Sequence, residues 1–387
     1  MTQAAFDDIT IEELRRAGGV KWSMFPDKIG AFVAEMDFGT APAVTRALHD
    51  AVDQGVFGYL PAATAQRASA AYAEWSAATY GWPVPPERVR LIADVLAGLE
   101  IAIEHCSAPG SPVILPTPAY MPFLTAPGAL GREVIQVPMA TEGGRYVYDL
   151  DALDAAYRAG GNLLVLCNPH NPIGRVLERE EMLAVAEVVD RHGGRVFSDE
   201  IHAPLVHPGH HHVPYASLTP TTAAHTVTAT SASKAWNLPG LKCAQLILSN
   251  DADAATWARV GQRYEHGAAN LGVVAAAAAY TEGRGWLTEV LAYLDTSRHH
   301  LGELLAAHLP EVGYRPPEGT YLAWLDFRGL GLGDHPAHLL REHAGVVLTD
   351  GPACGAAGAG FARLNFATPR PVLEQAVEQM AQAVARR

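Results

Sequence analysis

Between about residues 42 and 270, short apolar runs alternate with longer stretches in which apolar positions recur every three or four residues. This alternation predicts βα units and a largely parallel sheet. The runs at 112–115, 133–137, 162–167, 195–198, 226–229 and 244–248 are expected as strands. A first helix is expected over 42–54, where Val44, Ala47, Ala51 and Val52 share one face and Pro42 suits the opening turn, and another over 178–192. Beyond about residue 270 the pattern changes to a long helix at 286–309, separate strands at 321–327 and 361–366, and a last helix at 371–386. The chain has 387 residues, more than the roughly 250–300 at which a single core stops growing. Two domains are therefore expected: a large α/β domain at 46–275, and a smaller α+β domain built from 1–45 together with 276–387.

Charge narrows the classes of partner. With 28 Lys+Arg against 41 Asp+Glu the formal charge is −13, which disfavours nucleic acid and anionic lipid as partners. The N-terminal residues carry acids before bases and lack an apolar signal core, and the most apolar run, 271–280, is too short to span a bilayer, so a cytoplasmic protein without membrane contact is expected. Cys106, Cys167, Cys243 and Cys354 are far apart and are read as buried free thiols. The run His207, His210, His211 and His212 lacks acids or thiols at ligand spacing; it is read as solvated surface, and no metal site is expected.

Lysine is scarce. Four of the 28 basic residues are lysines, at 21, 28, 234 and 242, so a lysine retained in an arginine-rich chain points to chemistry that arginine cannot do. Arginine stays protonated, whereas a desolvated lysine can form a Schiff base. Lys234 lies in Thr230-Ser231-Ala232-Ser233-Lys234, directly after an expected strand, with Lys242 close behind. Three other polar groups stand at expected strand ends or helix starts, where open α/β sheets bind ligands. Ser198-Asp199-Glu200-Ile201-His202 offers a carboxylate able to keep a ring nitrogen protonated, the partner a pyridoxal 5'-phosphate (PLP) electron sink requires. The segment from Cys167 through Asn168, Pro169, His170, Asn171, Pro172 and Ile173 to Gly174 makes rigid turns that present amides. Asp94-Val95-Leu96 opens a helix whose free N–H groups suit a phosphate.

Together these blocks resemble the fold-type I PLP enzymes of the aminotransferase class I/II superfamily, and within them the MalY/PatB-like carbon–sulfur β-lyases, often called cystathionine β-lyases. The resemblance runs over nearly the whole chain. It rests on KWSMFP (21–26), FVAEMDF (32–38), VFGY (56–59), PAYMPF (118–123), CNPHNPIGRV (167–176), SDEIHAPLV (198–206), TATSASKAWNLPGLKCAQ (228–245) and ARLNFA (362–367). It implies the fold-type I PLP transferase fold, with a mostly parallel sheet flanked by helices in the large domain. It further implies that Lys234 bonds the cofactor and shuttles protons, and that Asp199 pairs with the ring nitrogen. Asn171 and His202 would bond the ring oxygen, and Tyr120 would stack on the ring. Val95, Leu96, Ser231, Ser233 and Lys242 would hold the phosphate, joined by Tyr59 from the neighbouring subunit of a homodimer. Arg363 would clamp the α-carboxylate of an amino-acid substrate.

The activity implied is α,β-elimination from S-substituted L-cysteines. Desolvation and the nearby cation Lys242 are expected to keep Lys234 neutral enough to act as base. The alternatives are an aminotransferase, or a regulatory protein that retains the fold. Phe32, Glu35 and Ile173 depart from the usual residues of the branch, and so does the segment from Leu60 through Pro61 to Ala62 and Ala63; these sit in the segments expected to set substrate fit.

Overall fold

In the computed structural model, which describes residues 3–386, seven strands form the main sheet. They are β1 (Val89–Ile92), β2 (Val113–Thr117), β3 (Val134–Pro138), β4 (Leu163–Cys167), β5 (Arg195–Asp199), β6 (Thr226–Thr230) and β7 (Ala244–Leu248). The order across the sheet is β1-β7-β6-β5-β4-β2-β3. Strands β2 to β6 pair in parallel, while β7 runs antiparallel to both β6 and β1. Every expected apolar run between 112 and 248 is a strand. The expected pattern lacked β1, a four-residue edge strand with Arg90 inside it, and the direction of β7.

Alternation along the strands divides the core into two layers, as a pleat of period two requires. Leu163, Val165 and Cys167 pack with Val95, Leu99 and Ile103, whereas Leu164 and Leu166 pack with Met182, Val185 and Val189. The first layer is covered by the helix α1 (Val95–His105) and the second by α2 (Arg179–Arg191). Helix α1 lies close on the sheet because Gly98 has no side chain: a Cβ there would stand 3.1 Å from the Cβ of Ala229. Register brings Cys167 beside Asp199, and Asp199 beside Ala229, so the carboxyl ends of β4, β5 and β6 open on one edge.

The C-terminal part builds a second sheet from β8 (Gly313–Tyr314), β9 (Leu322–Asp326), β10 (Thr349–Asp350) and β11 (Phe361–Asn365), in the order β8-β9-β11-β10. The N-terminal segment joins this part. Ile29–Gly30 pairs in parallel with Val346–Val347, and Arg370 binds Asp7 through its guanidinium at 2.6 Å. No helix among the described residues is long and apolar enough to cross a membrane.

Candidate active site

A cavity of about 440 Å³ lies at the carboxyl edge of β4 to β6, against the second sheet. Val95, Leu96, Tyr120, Asn171, Asp199, His202, Ser231, Ser233, Lys234, Lys242 and Arg363 all line it. Tyr59 does not. Its side chain is 93% exposed on the outer surface, beside Phe57 and Asn270.

Lys234 is on a short helical turn, Ala232–Ala235, that starts as β6 ends. Ser231 caps this turn by accepting from the amide of Ser233 at 3.0 Å, and its hydroxyl donates to the Cys243 carbonyl at 2.7 Å. Lys234 Nζ donates to the Ala34 carbonyl at 3.0 Å. Burial, then the positive charge of Arg363, push the lysine down to about 8. Depression by desolvation and a cation agrees with expectation, but the cation differs. Lys242 is bonded to Asp94 Oδ2 at 2.9 Å and does not act on Lys234.

Asp199 ends β5. Its Oδ1 accepts from the Ile201 amide at 3.0 Å, and Cys167 Sγ donates to Oδ2 at 3.6 Å. Burial pushes its carboxyl up to about 6, and a cationic ring nitrogen set against it would favour the ionised form. His202 is buried, with Nδ1 lacking a hydrogen-bond partner, and burial holds it well below its usual range, so it is neutral. Asn171 Oδ1 accepts from Arg363 Nη1 at 2.9 Å.

Arg363, on β11, is fixed by three acceptors: Asn171 Oδ1, the Phe32 carbonyl at 2.7 Å and Thr349 Oγ1 at 3.0 Å. Its Nε is buried without a partner. Tyr120 stands just before the helix Met121–Ala129, and burial raises its phenol.

At the other end of the cavity, Asp94 caps α1 by accepting from the Ala97 amide at 2.9 Å. Burial pushes Asp94 upward, but the bonds from Lys242 and Ala97 outweigh it and hold the carboxyl below its usual range. The Val95 and Leu96 amides thus head a helix dipole beside Ser231, Ser233 and Lys242, an anion site on general grounds. PLP fits these residues. A phosphate would meet amides, hydroxyls and Lys242 at one end; a ring would meet Asp199 and the unpartnered His202 Nδ1; and the cavity lies within the roughly 300–1,000 Å³ usual for such ligands.

A strap, residues 32–38, lines the cavity with Phe32, Val33 and Ala34, and the sequence carried no sign of how it is held. Asn237 takes both sides of Met36: its Oδ1 accepts from the Met36 amide, and its Nδ2 donates to the Met36 carbonyl, each at 2.9 Å. Asn365 Nδ2 donates to the carbonyls of Val33 and Glu35. Lys21 Nζ and Trp22 Nε1 both reach the Asp37 carboxylate at 2.8 Å, and Tyr321 donates to the same Ala34 carbonyl as Lys234. The available signal was that Lys21-Trp22, Asp37 and Asn237 fall inside the motif blocks; no local pattern said that they touch.

Two expectations away from the cavity need correction. His207 and His212 are buried rather than solvated, because each has an acceptor: Thr320 carbonyl for His207, at 2.8 Å, and Glu200 Oε2 for His212, at 3.1 Å. Of the cysteines, Cys106 is only partly buried.

Comparison with known proteins agrees with this geometry. The family model of aminotransferase class I and II matches residues 26–380. A cystathionine β-lyase of Corynebacterium glutamicum is 40% identical over 377 residues, covering 96% of this chain and 98% of that protein. Cystathionine β-lyase PatB of Bacillus subtilis is 33% identical, covering 96% and 98%. A solved structure from Corynebacterium diphtheriae, assigned as a PLP-dependent β-cystathionase, superposes with a TM-score of 0.92 at 40% identity, covering 97% of this chain and 98% of that one. With matches over nearly its whole length and a cavity lined by the residues the motifs singled out, the chain belongs to the aminotransferase class I and II family, in the PLP-dependent group that holds the cystathionine β-lyases.

Proposed function

We propose that this protein is a PLP-dependent carbon–sulfur β-lyase that cleaves S-substituted L-cysteines, cystathionine among them, to a thiol, pyruvate and ammonia. The observation that carries the reading is Lys234, half-buried in one cavity with Asp199 and Arg363 and pushed down to about 8, in a chain that resembles proteins named for this activity. When bound, PLP supplies an electron sink for charge that develops at the substrate Cα.

The chain's residues do the rest. Arg363 receives the α-carboxylate through its planar fork, which fixes the amino acid with its Cα facing Lys234. Neutral Lys234 takes the Cα proton, and its pKa near neutrality makes it competent both to accept and to return a proton. Asp199 holds a proton at the ring nitrogen, while neutral His202 and Asn171 orient the ring oxygen and Tyr120 covers the ring face. The amides of Val95 and Leu96, with Ser231, Ser233 and Lys242, anchor the phosphate. Loss of the Cβ–S bond releases the thiol, and water converts the remaining three-carbon unit to pyruvate and ammonia.

Tyr59 fits this account as a phosphate ligand donated to the partner subunit of a homodimer, which is why a site residue lies bare on its own chain. The same division into a large domain at 46–275 and a small one at 1–45 with 276–387 is part of the proposal, supported by the pairing of Ile29–Gly30 with Val346–Val347.

The test is product counting: PLP-loaded protein with L-cystathionine and no added keto acid. Many equivalents of thiol and pyruvate per site are expected. At most one equivalent of keto acid, without thiol, would overturn the reading in favour of an aminotransferase.

A further inference from the structure

Among the described residues, one group of three metal-ligating side chains outside the cavity has its donor atoms within 4.8 Å of one another: His335, His338 and Asp350. The conspicuous histidine run at 207–212 does not converge in this way, since His207 and His212 each bond elsewhere. Here the chain assembles the ligands from two elements. His335 stands just before the helix α3 (Pro336–His343) and His338 three positions later, so both fall on one side of its first turn. Asp350 ends β10, which packs against that helix.

The arrangement is aimed at a common point. His335 Nδ1 is 2.6 Å and His338 Nε2 3.9 Å from the same oxygen, Asp350 Oδ2. The two rings are stacked, 7° from parallel, with centroids 5.2 Å apart. The Asp350 side chain is only 13% exposed, and its other oxygen, Oδ1, is buried without a hydrogen-bond partner. Metal–ligand bonds of roughly 2.0–2.1 Å place tetrahedral donors about 3.3 Å apart, between the two observed separations, so small side-chain rotations complete the geometry. Two imidazoles and a carboxylate suit zinc and its borderline neighbours; calcium and magnesium favour sets made of oxygen alone.

We propose that His335, His338 and Asp350 form a site for one zinc-class divalent ion, with water in the fourth position. Its place in the fold gives it a role. Asp350 directly follows Thr349, whose hydroxyl accepts from Arg363 and donates to the Phe32 carbonyl. An ion here pins α3 to the strand that seats the Arg363 guanidinium. The site shares no ligand with the cavity, so its failure would leave the lyase reading standing.

The test uses the full PLP-loaded chain, stripped of metal by a chelator and dialysed against Zn2+ alone at low micromolar concentration, with bound zinc counted. The wild type should hold one zinc per chain and melt at a higher temperature with it. Affinity should fall on the order of 100-fold in His338→Ala and in His335→Ala, both exposed positions, while His210→Ala/His211→Ala binds as wild type. Metal-free His338→Ala should melt with the metal-free wild type, so that lost binding is not lost folding. Co2+ in place of zinc should give the intense visible bands of a tetrahedral site, and the His338→Ala protein should lack them. Absence of bound zinc in the wild type, or equal binding by wild type and both single variants, would overturn the proposal.

Discussion

The Arg363 guanidinium acts on Lys234, and in the proposed reaction both also meet the substrate. Burial and the guanidinium charge both penalise the ammonium, so it gives up its proton near 8 to leave the neutral amine. A base that must be neutral gives a rate that falls as pH drops below that value, so kcat for thiol release should rise through about pH 8 and then level. Glu35 opposes this, because its negative charge favours the ammonium. Glu35→Gln should therefore move the limb toward lower pH, which a kcat profile would detect; an unmoved or alkaline-shifted limb would contradict the assignment. Arg363→Lys keeps the charge but loses the fork, and about 1.5–3 kcal/mol of charged hydrogen bonding should appear as a KM roughly 10- to 100-fold higher, with kcat less affected. Lys234 and Asp199 were legible because strand-end position and residue type suffice to suspect them, whereas Arg363, in the middle of β11, came only with the family resemblance. The Ala34 carbonyl, Thr349 and Asp94 as partners were not, since a backbone acceptor and contacts between distant segments leave no mark on local sequence.

At the scale of elements, the strap along the cavity accounts for pairs of motifs that look unrelated along the chain. Lys21 and Trp22 hold Asp37, and Asn237, two residues beyond the helical turn of Lys234, holds Met36. The Lys21–Asp37 pair is almost wholly buried. Asp37→Asn leaves the ammonium buried without its counter-charge and should cost about 3–5 kcal/mol, measured by denaturant unfolding of the holoenzyme. Replacing both partners, as Lys21→Met/Asp37→Leu, should recover much of that loss; a double variant no more stable than Asp37→Asn would argue that the pair's charge is not what matters. Strand positions between 112 and 248 were readable because short runs rich in apolar and β-branched residues stand between helical patterns. Strand direction was not, because an apolar run of five residues such as β7 reads the same whichever way it pairs.

For the whole molecule, the proposed dimer makes a prediction that no single-chain property does. Phe57 and Tyr59, 70% and 93% exposed, form an aromatic edge that does not line their own cavity. If Tyr59 serves the partner, then Lys234→Ala and Tyr59→Ala chains, each impaired alone, should recover roughly a quarter of wild-type sites when unfolded together and refolded as mixed dimers. No recovery above the two parents would place Tyr59 outside the shared site. The architecture itself was legible because an alternating pattern followed by a separate one fixes two sheets, whereas the join between the first residues and the last part depends on pairing across more than 300 positions, Ile29 with Val346. The most direct test of the whole account is thiol released from L-cystathionine by wild-type and Lys234→Ala holoenzymes, side by side. The account predicts many equivalents per site from the wild type and none above background from the variant, with partial return when a small primary amine is added. Thiol release by Lys234→Ala near the wild-type rate, or none from the wild type, would contradict it.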